Sequence, residues 1–411
     1  MFPFSRSTSE FSPSTTLNEA ILASSSSVRD SLPEQHREHF ETLRQEIIDF
    51  AQAHGIPKDA LAKPDALREA AQKLSIPHLQ RLATLLERFE YLLVYKEPRR
   101  GITEALEYVE KKYHLLKQYD SQVKLLTEVG ILNEGVITGI DQKEYPIPTL
   151  EQIAQRIFER RETFDTKHDQ GFTKLLLVPF GMSLDSFQVV LDRFLFSYKK
   201  SHPTFGLAIN DFLSAPEYYQ GADTGGSPKL VYYPKFFDEK GHQGKTKMQI
   251  LGGQEDNQNF FPGWTIHLLQ PSDPSNPDSL GFAPIPRKGQ GEKHGKDNPR
   301  FDLEAGKRPV EYLSIFQKFQ NDPTSSYYGE TSFTPEDWII AFMTHLTETG
   351  QPLDDYQNDR ESISCVIGAF FPFSVVVPVA CWVSEFRQVS FDFFSSNGYY
   401  EDQGVRSSVI V

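Results

Sequence analysis

The sequence predicts an α+β protein whose helices come first and whose strands come last. Three observations carry that reading. Four segments between residues 30 and 132 repeat apolar residues at helical spacing. The run from Ser362 to Ser384 is uncharged and rich in Val and Phe. From residue 246 onward, strand-like runs alternate with long polar loops. At 411 residues the chain exceeds one ordinary core, so two or three domains are expected. Hydrophobic residues at 38% and charged residues at 24% fit a globular protein. A net charge of −14 argues against sequence-blind binding to phosphate backbones, so no nucleic-acid partner is expected.

Residues 1–29 are rich in Ser and Thr and too poor in apolar residues to offset ordering entropy, so they read as a disordered tail. They hold no apolar signal-peptide core, which makes the cytoplasm the expected location, with export by another route left open. Ser31-Leu-Pro-Glu34 has the form of a capping box, with Ser31 as N-cap and Glu34 at N3. Phe40, Leu43, Ile47 and Phe50 follow on one helical face. A second helix is expected near PDALREAAQKL. A third starts at IPHLQ, with Leu79, Leu82, Leu86, Phe89, Leu92 and Leu93 as its apolar positions. A fourth covers ITEALEYVEKKYHLLKQYDSQVKLLTEVG and stops at Gly130. Residues 30–132 therefore read as a helical bundle, through which the protein would oligomerise if it does.

Residues 133–245 read as a mixed α/β region. It holds a linker or short hairpin to 150 and a helix TLEQIAQRIFERRETF capped by Thr149 with Gln152 at N3. A buried strand KLLLVPF and a helix SLDSFQVVLDRFLFSYKK follow. In 246–411, FPGWTIHLLQP holds a strand from Trp264 to Leu269, and 271–311 reads as loop. TPEDWIIAFMTHLTETG is a helix with Thr334 as cap, Pro335 at N1, and Glu336 and Asp337 at the positive end. Trp338, Phe342 and Leu346 line its apolar face, and Gly350 stops it. The run Ser362–Ser384 is long enough to cross a bilayer. Pro372 and Pro378 interrupt it, so it reads as buried strands joined by bends, with no membrane span.

Motifs with a chemical meaning are few. GHQGKT at 241–246 has two residues between its glycines where a phosphate-binding loop needs four, and reads as a flexible loop. GQGEKHG at 289–295 has the wrong spacing for a dinucleotide site and reads as solvated loop. Around it, Arg287, Lys288, Lys293, His294 and Lys296 offer at most a local anion patch. His345 has Glu348 at i+3 but no second partner at metal spacing. Asp354-Asp355 reads as turn and surface charge. Cys365 and Cys381 stand outside any CxxC pair and read as plain buried or half-buried thiols. No Ser/His/Asp or Cys/His arrangement stands out, so neither catalysis, metal nor cofactor is expected.

What remains is SFDFFSSNGYY, Ser390 to Tyr400, in which five of 11 residues are aromatic. Phe391 and Phe393 alternate with Ser390 and Asp392, as in a half-buried strand. SSNGYYED is turn chemistry, with Asn397-Gly398 as a hairpin signal. Adjacent Tyr399 and Tyr400 cannot both face inward from a strand. Two readings stay open: a core strand with its turn, or a binding surface. Exposed aromatics among Ser, Gly, Asn and Asp have the composition of a paratope.

The C-terminal segment Ile367–Val411 resembles the variable region of diversity-generating retroelement target proteins. Trp382, Arg387-Gln388 and the closing Gly404-Val405-Arg406 carry the resemblance. The closing GVR with its short apolar strand is similar to the end of the C-type-lectin-like fold, used also by formylglycine-generating enzymes. FPGWTIHLL and TPEDWIIAFMTHLTETGQPLDDY look like the upstream part of the same family. The resemblance is close over 367–411, loose over 246–411, and leaves the bundle uncovered. It implies a segment rewritten at adenines by an error-prone reverse transcriptase, typically in Asn codons that never yield Trp, Met, Glu, Gln or Lys. None of those five stands between Ser390 and Tyr400. It further implies a lectin-like ligand-binding domain at 246–411 with a variable segment at 379–406. The contacts would be Val383, Ser384, Phe386, Ser390, Asp392, Phe394, Ser395, Ser396, Asn397, Tyr399 and Tyr400, facing a protein or surface ligand. Trp382 would hold the frame by burial, Gly404 by a tight turn, and Arg387 and Arg406 by hydrogen bonds to loop carbonyls. Two alternatives stand beside it. One is an enzyme on the formylglycine-generating fold, for which Cys365 and Cys381 must meet in an open cleft. The other is a structural or assembly protein of a mobile element.

Overall fold

A computed structural model of the chain describes residues 29–30, 32–62, 64–74, 76–95, 102–208, 212–255, 261–273, 276, 278–290, 303–356 and 363–411. The Ser/Thr-rich tail, Ser31 and most of the basic 287–296 loop lie outside them. The protein is mixed α+β, with helices in its N-terminal half and a strand-rich C-terminal region. It divides into two compact units, 1–107 with 149–155, and 108–148 with 156–411. None of its described helices is long and apolar enough to cross a membrane.

The first unit holds α1 (Glu34–Ala53), α2 (Pro64–Ala71), α3 (Ile76–Tyr95) and the start of α4 (Ile102–Tyr113). Helix α1 begins at Glu34, so Glu34 is its first residue and not the N3 partner of a cap at Ser31. Phe40, Leu43, Ile47 and Phe50 are all buried, and Phe40 stacks on Phe89 at 5.1 Å. On α3, Leu82, Leu85, Phe89 and Leu92 face that core, while Leu79 is exposed. A helix of 3.6 residues per turn carries Leu79 off the stripe that its successors form.

The expected fourth helix is two helices. Helix α4 ends at Tyr113, His114 takes φ 50°, and α5 (Leu115–Glu128) starts afresh. A left-handed residue breaks the i to i−4 ladder. Residues 108–128 fall in the second compact unit. There the side chains of α5 close the edge of β3 (Lys174–Val178). Gln118 accepts from Leu175 N–H at 2.8 Å and donates to Thr173 C=O at 3.1 Å. Gln122 accepts from Leu177 N–H at 2.7 Å and donates to Leu175 C=O. Spaced i, i+4, the two amides replace a missing neighbour strand.

Strands β1 (Val136–Thr138) and β2 (Glu144–Pro146) form a short hairpin, one of the two readings open there. Helix α6 (Leu150–Glu159) carries the expected cap: Thr149 N–H donates to Gln152 Oε1 at 2.9 Å, and Gln152 N–H to Thr149 Oγ1 at 3.3 Å. It stops at Arg160, and α7 (Arg161–Asp169) follows. Helix α8 (Leu184–Ser201) precedes β4 (Leu213–Ser214) and β5 (Val231–Tyr232). Two helices stand where the sequence reading assigned no helix, α9 (Lys247–Glu255) before β6 (Thr265–Leu269), and α10 (Pro309–Phe319), which starts at the end of the expected 271–311 loop, before β7 (Glu330–Ser332). Helix α11 (Pro335–Thr349) is capped by Thr334, whose Oγ1 accepts from Asp337 N–H at 3.3 Å, and ends on Gly350 at φ 71°. It is buried nearly all round, packed against α8, β3 and β11. Glu336 and Asp337 stand in its first turn, as expected, and are fully buried.

The remaining strands are β8 (Asp355–Tyr356), β9 (Ile363–Cys365), β10 (Ala369–Phe370), β11 (Val376–Val383), β12 (Gln388–Ser395), β13 (Gln403–Gly404) and β14 (Ser407–Ile410). The Pro-interrupted run is thus strands, as its Val and Phe content predicts. One sheet has the order β3-β6-β14-β7 and is antiparallel. A mixed sheet has the order β13-β9-β11-β12-β4, with β8 also on β11. Strands β5 and β10 pair separately.

Candidate ligand-binding surface

The long hairpin β11–β12 carries most of the expected contacts. Its register sets Trp382 opposite Val389, Ala380 opposite Phe391, Cys381 opposite Ser390, Val379 opposite Asp392 and Val377 opposite Phe394. Opposed residues share a face, and neighbours alternate. Trp382, Val389, Ala380 and Phe391 form one face and are buried. Phe391 meets Trp338 of α11 edge-on at 5.3 Å, and Trp382 lies over Phe342 at 6.3 Å. The other face bears Ser390, Asp392 and Phe394 on β12: Asp392 is exposed, the other two half-buried. Val379 and Cys381 on that face of β11 are buried.

The expected contacts form a strip with two ends. At the turn joining the strands, Val383 and Ser384 are half-buried and Phe386 is 60% exposed. The Ser384 hydroxyl donates to Asp355 Oδ1. Eight residues of β12 then separate that turn from the other end, about 23 Å at strand rise. There Ser395 and Asn397 are exposed, as are Tyr399 at 47% and Tyr400 at 46%. Tyr400 stacks on Phe394 at 4.4 Å, and Phe373, 87% exposed, belongs to the turn before β11. Phe373 was missed because Pro372 and the apolar run hide it from a composition search.

Several expectations change. Ser396 is buried at 1%, its N–H on Val375 C=O and its C=O receiving Val310 N–H, so it is not a contact. Asn397-Gly398 makes a turn, closed by Gly398 N–H on Ser395 C=O at 2.8 Å, but no hairpin: β13 pairs parallel with β9 instead. Gly404 lies in β13 outside the left-handed region; a Cβ there would meet Ile285 Cγ2 at 2.4 Å, so close packing and not a tight turn demands glycine. Arg387 is exposed at φ 56°, and the atom that binds a loop is its carbonyl, accepting Ala208 N–H at 2.9 Å.

Arg406 is buried. Its Nη1 donates to Ala283 C=O at 2.6 Å, and its Nε and Nη2 clasp both oxygens of Asp354. Asp354 is 2% exposed at φ 55°, also accepts from Trp338 Nε1 at 2.8 Å, and receives Trp382 N–H on its carbonyl at 3.0 Å. It is a core anchor and not surface charge. Gln403, fully buried, fixes the far end of the strip by donating to Lys307 C=O at 2.8 Å and Gly398 C=O at 3.1 Å.

Chemistry-bearing groups elsewhere are enclosed. Cys365 and Cys381 are free and buried; burial pushes the Cys381 thiol up to about 12 and Cys365 higher still. The open cleft that a cysteine mechanism requires is not formed around them. The structure does assemble a set that the sequence hid: His267 Nδ1 lies 2.9 Å from Ser408 Oγ, and His267 Nε2 lies 3.1 Å from Asp337 Oδ1. All three are fully buried, so Ser408 presents no nucleophile to a substrate. Lys247 of α9, just after GHQGKT, is buried against Asp223 at 2.5 Å and Glu336 at 2.7 Å, whose charges hold its ammonium on. Among the described residues no group of three His, Cys, Asp or Glu is arranged to hold a metal ion. No protein-family model, no curated protein and no solved structure matches this chain.

Proposed function

We propose that the C-terminal region displays a diversified ligand-binding surface on a C-type-lectin-like frame, in the manner of diversity-generating retroelement variable proteins. One observation carries the reading. The inner face of β12 is locked into the core through Val389 and Phe391, while Asp392, Ser395, Asn397, Tyr399 and Tyr400 stand exposed beside it. Aromatic side chains give large contact area at low rotamer cost, and Ser, Asn and Asp give adaptable hydrogen bonds. The partner is a protein or surface ligand, and no cofactor enters. The test is to sequence the DNA around the gene. A near-copy of the segment encoding 379–406, differing only at adenines of the copy, is expected beside a reverse-transcriptase gene. Its differing codons are expected at Ser390, Asp392, Phe394, Ser395, Asn397, Tyr399 and Tyr400, and not at Phe391, Ser396, Gln403 or Arg406. Finding neither the copy nor the reverse transcriptase overturns the reading.

A further inference from the structure

Phe373 is 87% exposed, against 60% for Phe386, the next large apolar side chain in exposure among the described residues. A single exposed Phe on a loose loop calls for no explanation. Phe373 is instead fixed by its turn. Phe371 N–H donates to Val376 C=O at 3.0 Å, Ser396 N–H donates to Val375 C=O at 3.2 Å, and the Tyr218 and Ser374 hydroxyls meet at 2.6 Å. Val375, just after Ser374, sits at φ 52°, a conformation that a β-branched residue adopts only where its surroundings enforce it. The strained turn holds an apolar ring in water and in one place. A side chain ordered before binding loses little freedom on binding.

A receptor for such a ring is on the same molecule. A cavity of about 350 Å³ lies beside the start of β6 and the end of β14, with Phe261, Ile250, Ile266 and Ile410 in its wall. About 150 Å³ of apolar space already takes up a benzene ring. The two rims differ in charge. Lys235 and Lys245, both exposed, line the cavity, and no Asp or Glu side chain does. Beside the Phe373 turn stand two exposed acids, Glu217 next to Tyr218, and Asp392, whose C=O takes the Tyr219 hydroxyl at 2.6 Å. Lys229, over the Tyr218 ring, offsets part of that charge. The ring and the cavity of one chain do not meet. Strands β5 and β10 run antiparallel, with Tyr232 opposite Ala369 and Val231 opposite Phe370. Tyr233, on the cavity wall, lies off one end of that pair, its N–H on Gly368 C=O at 2.8 Å. Phe373, three residues past Phe370, lies off the other end.

We propose that the protein self-associates head to tail, with Phe373 of one chain seated in this cavity of a second copy. A knob and a hole on different surfaces repeat the contact from chain to chain, until a ring closes or a filament grows. Phe373 lies outside the segment 379–406, so the contact stands whether or not that segment is diversified. Sedimentation velocity of the full chain over a wide concentration range tests it. The average mass is expected to rise with concentration above that of one chain. Phe373→Ser, at so exposed a position, is expected to keep the thermal midpoint and to stay monomeric. Gly253→Trp plugs the hole: Gly253 is exposed on the cavity wall, and a Cβ there meets nothing within 4 Å. It is expected to stay folded and monomeric, as is Lys245→Trp, a second plug at an exposed position of the rim. The Phe373→Ser chain keeps the hole and the Gly253→Trp chain keeps the knob. Mixed, they are expected to form a pair of chains that grows no further. A wild-type chain that stays monomeric overturns the proposal. So does association that survives Phe373→Ser or both plugs, or folded knob and hole variants that fail to pair on mixing.

Discussion

Asp354 shows how little a residue type says about its surroundings. Two adjacent acids after a helix stop read as turn and surface charge, yet Asp354 joins Arg406, Trp338 and Trp382 in the core. Removing one partner of a buried ion pair strands the other charge. Asp354→Ala should therefore cost about 3–5 kcal/mol in urea unfolding. Asp355→Ala, whose side chain meets Ser384 on a half-buried rim, should cost far less. His345 makes the matching case for pH. Burial, with Arg406 and Lys174 nearby, lowers it from 6.5 to about 3, and its Nδ1 accepts Phe282 N–H at 3.0 Å. The unfolded chain takes up a proton that the folded chain refuses, so stability from this residue is whole above pH 6.5 and declines as pH falls toward 3. The slope is at most about 1.4 kcal/mol per pH unit. Urea midpoints at pH 7 and pH 5 should differ less for His345→Gln, which keeps an acceptor but no titrating ring, than for the wild-type chain.

Elements were legible where periodicity and capping agreed. Thr334-Pro335 and Gly350 bound α11 as the sequence predicts, and Thr149 with Gln152 starts α6. Where local signals conflicted, the reading failed. Helix α10 hides in a charged loop, although Pro309 at N1, Glu311 at N3, and Tyr312, Leu313 and Phe316 on one side were its signal. Helix α9 contains Gly252 and Gly253, which weaken any propensity argument. The break at His114 has no sequence signal, because the apolar stripe runs through it and tertiary contacts decide the backbone there. What that break achieves is the placement of Gln118 and Gln122 along β3. Gln122→Ala leaves Leu175 C=O and Leu177 N–H at an apolar edge without their side-chain partner. The expected cost is about 1–3 kcal/mol. An opened edge also templates strand pairing, so light scattering on mild heating should rise more for Gln122→Ala than for the exposed-site control Lys124→Ala.

At the scale of the whole molecule, composition located the candidate surface but not its shape. The cluster of Tyr, Phe, Ser, Asn and Asp pointed to residues 390–400, where Asp392, Ser395, Asn397, Tyr399 and Tyr400 are exposed. Sequence could not show that β12 spreads them over about 23 Å, nor that Ser396 turns inward, because both depend on the register with β11 and on Val310 and Val375, which are distant in sequence. The same register sets the strongest demand that the display reading makes on the fold. A surface that is rewritten must let its contacts change without unfolding their support. Exposed positions away from special contacts usually shift stability by within about 0.5 kcal/mol, whereas truncating a buried Phe or Trp costs about 3–5 kcal/mol. Two libraries test this on the intact chain. One randomises Ser390, Asp392, Ser395, Asn397 and Tyr399; the other randomises Trp382, Val389, Phe391, Gln403 and Arg406. Protease resistance of the displayed protein should survive in most members of the first and few of the second. Equal losses in both would mean that the outer strip is part of the support, and a fold that cannot tolerate change there cannot serve as a diversified binder.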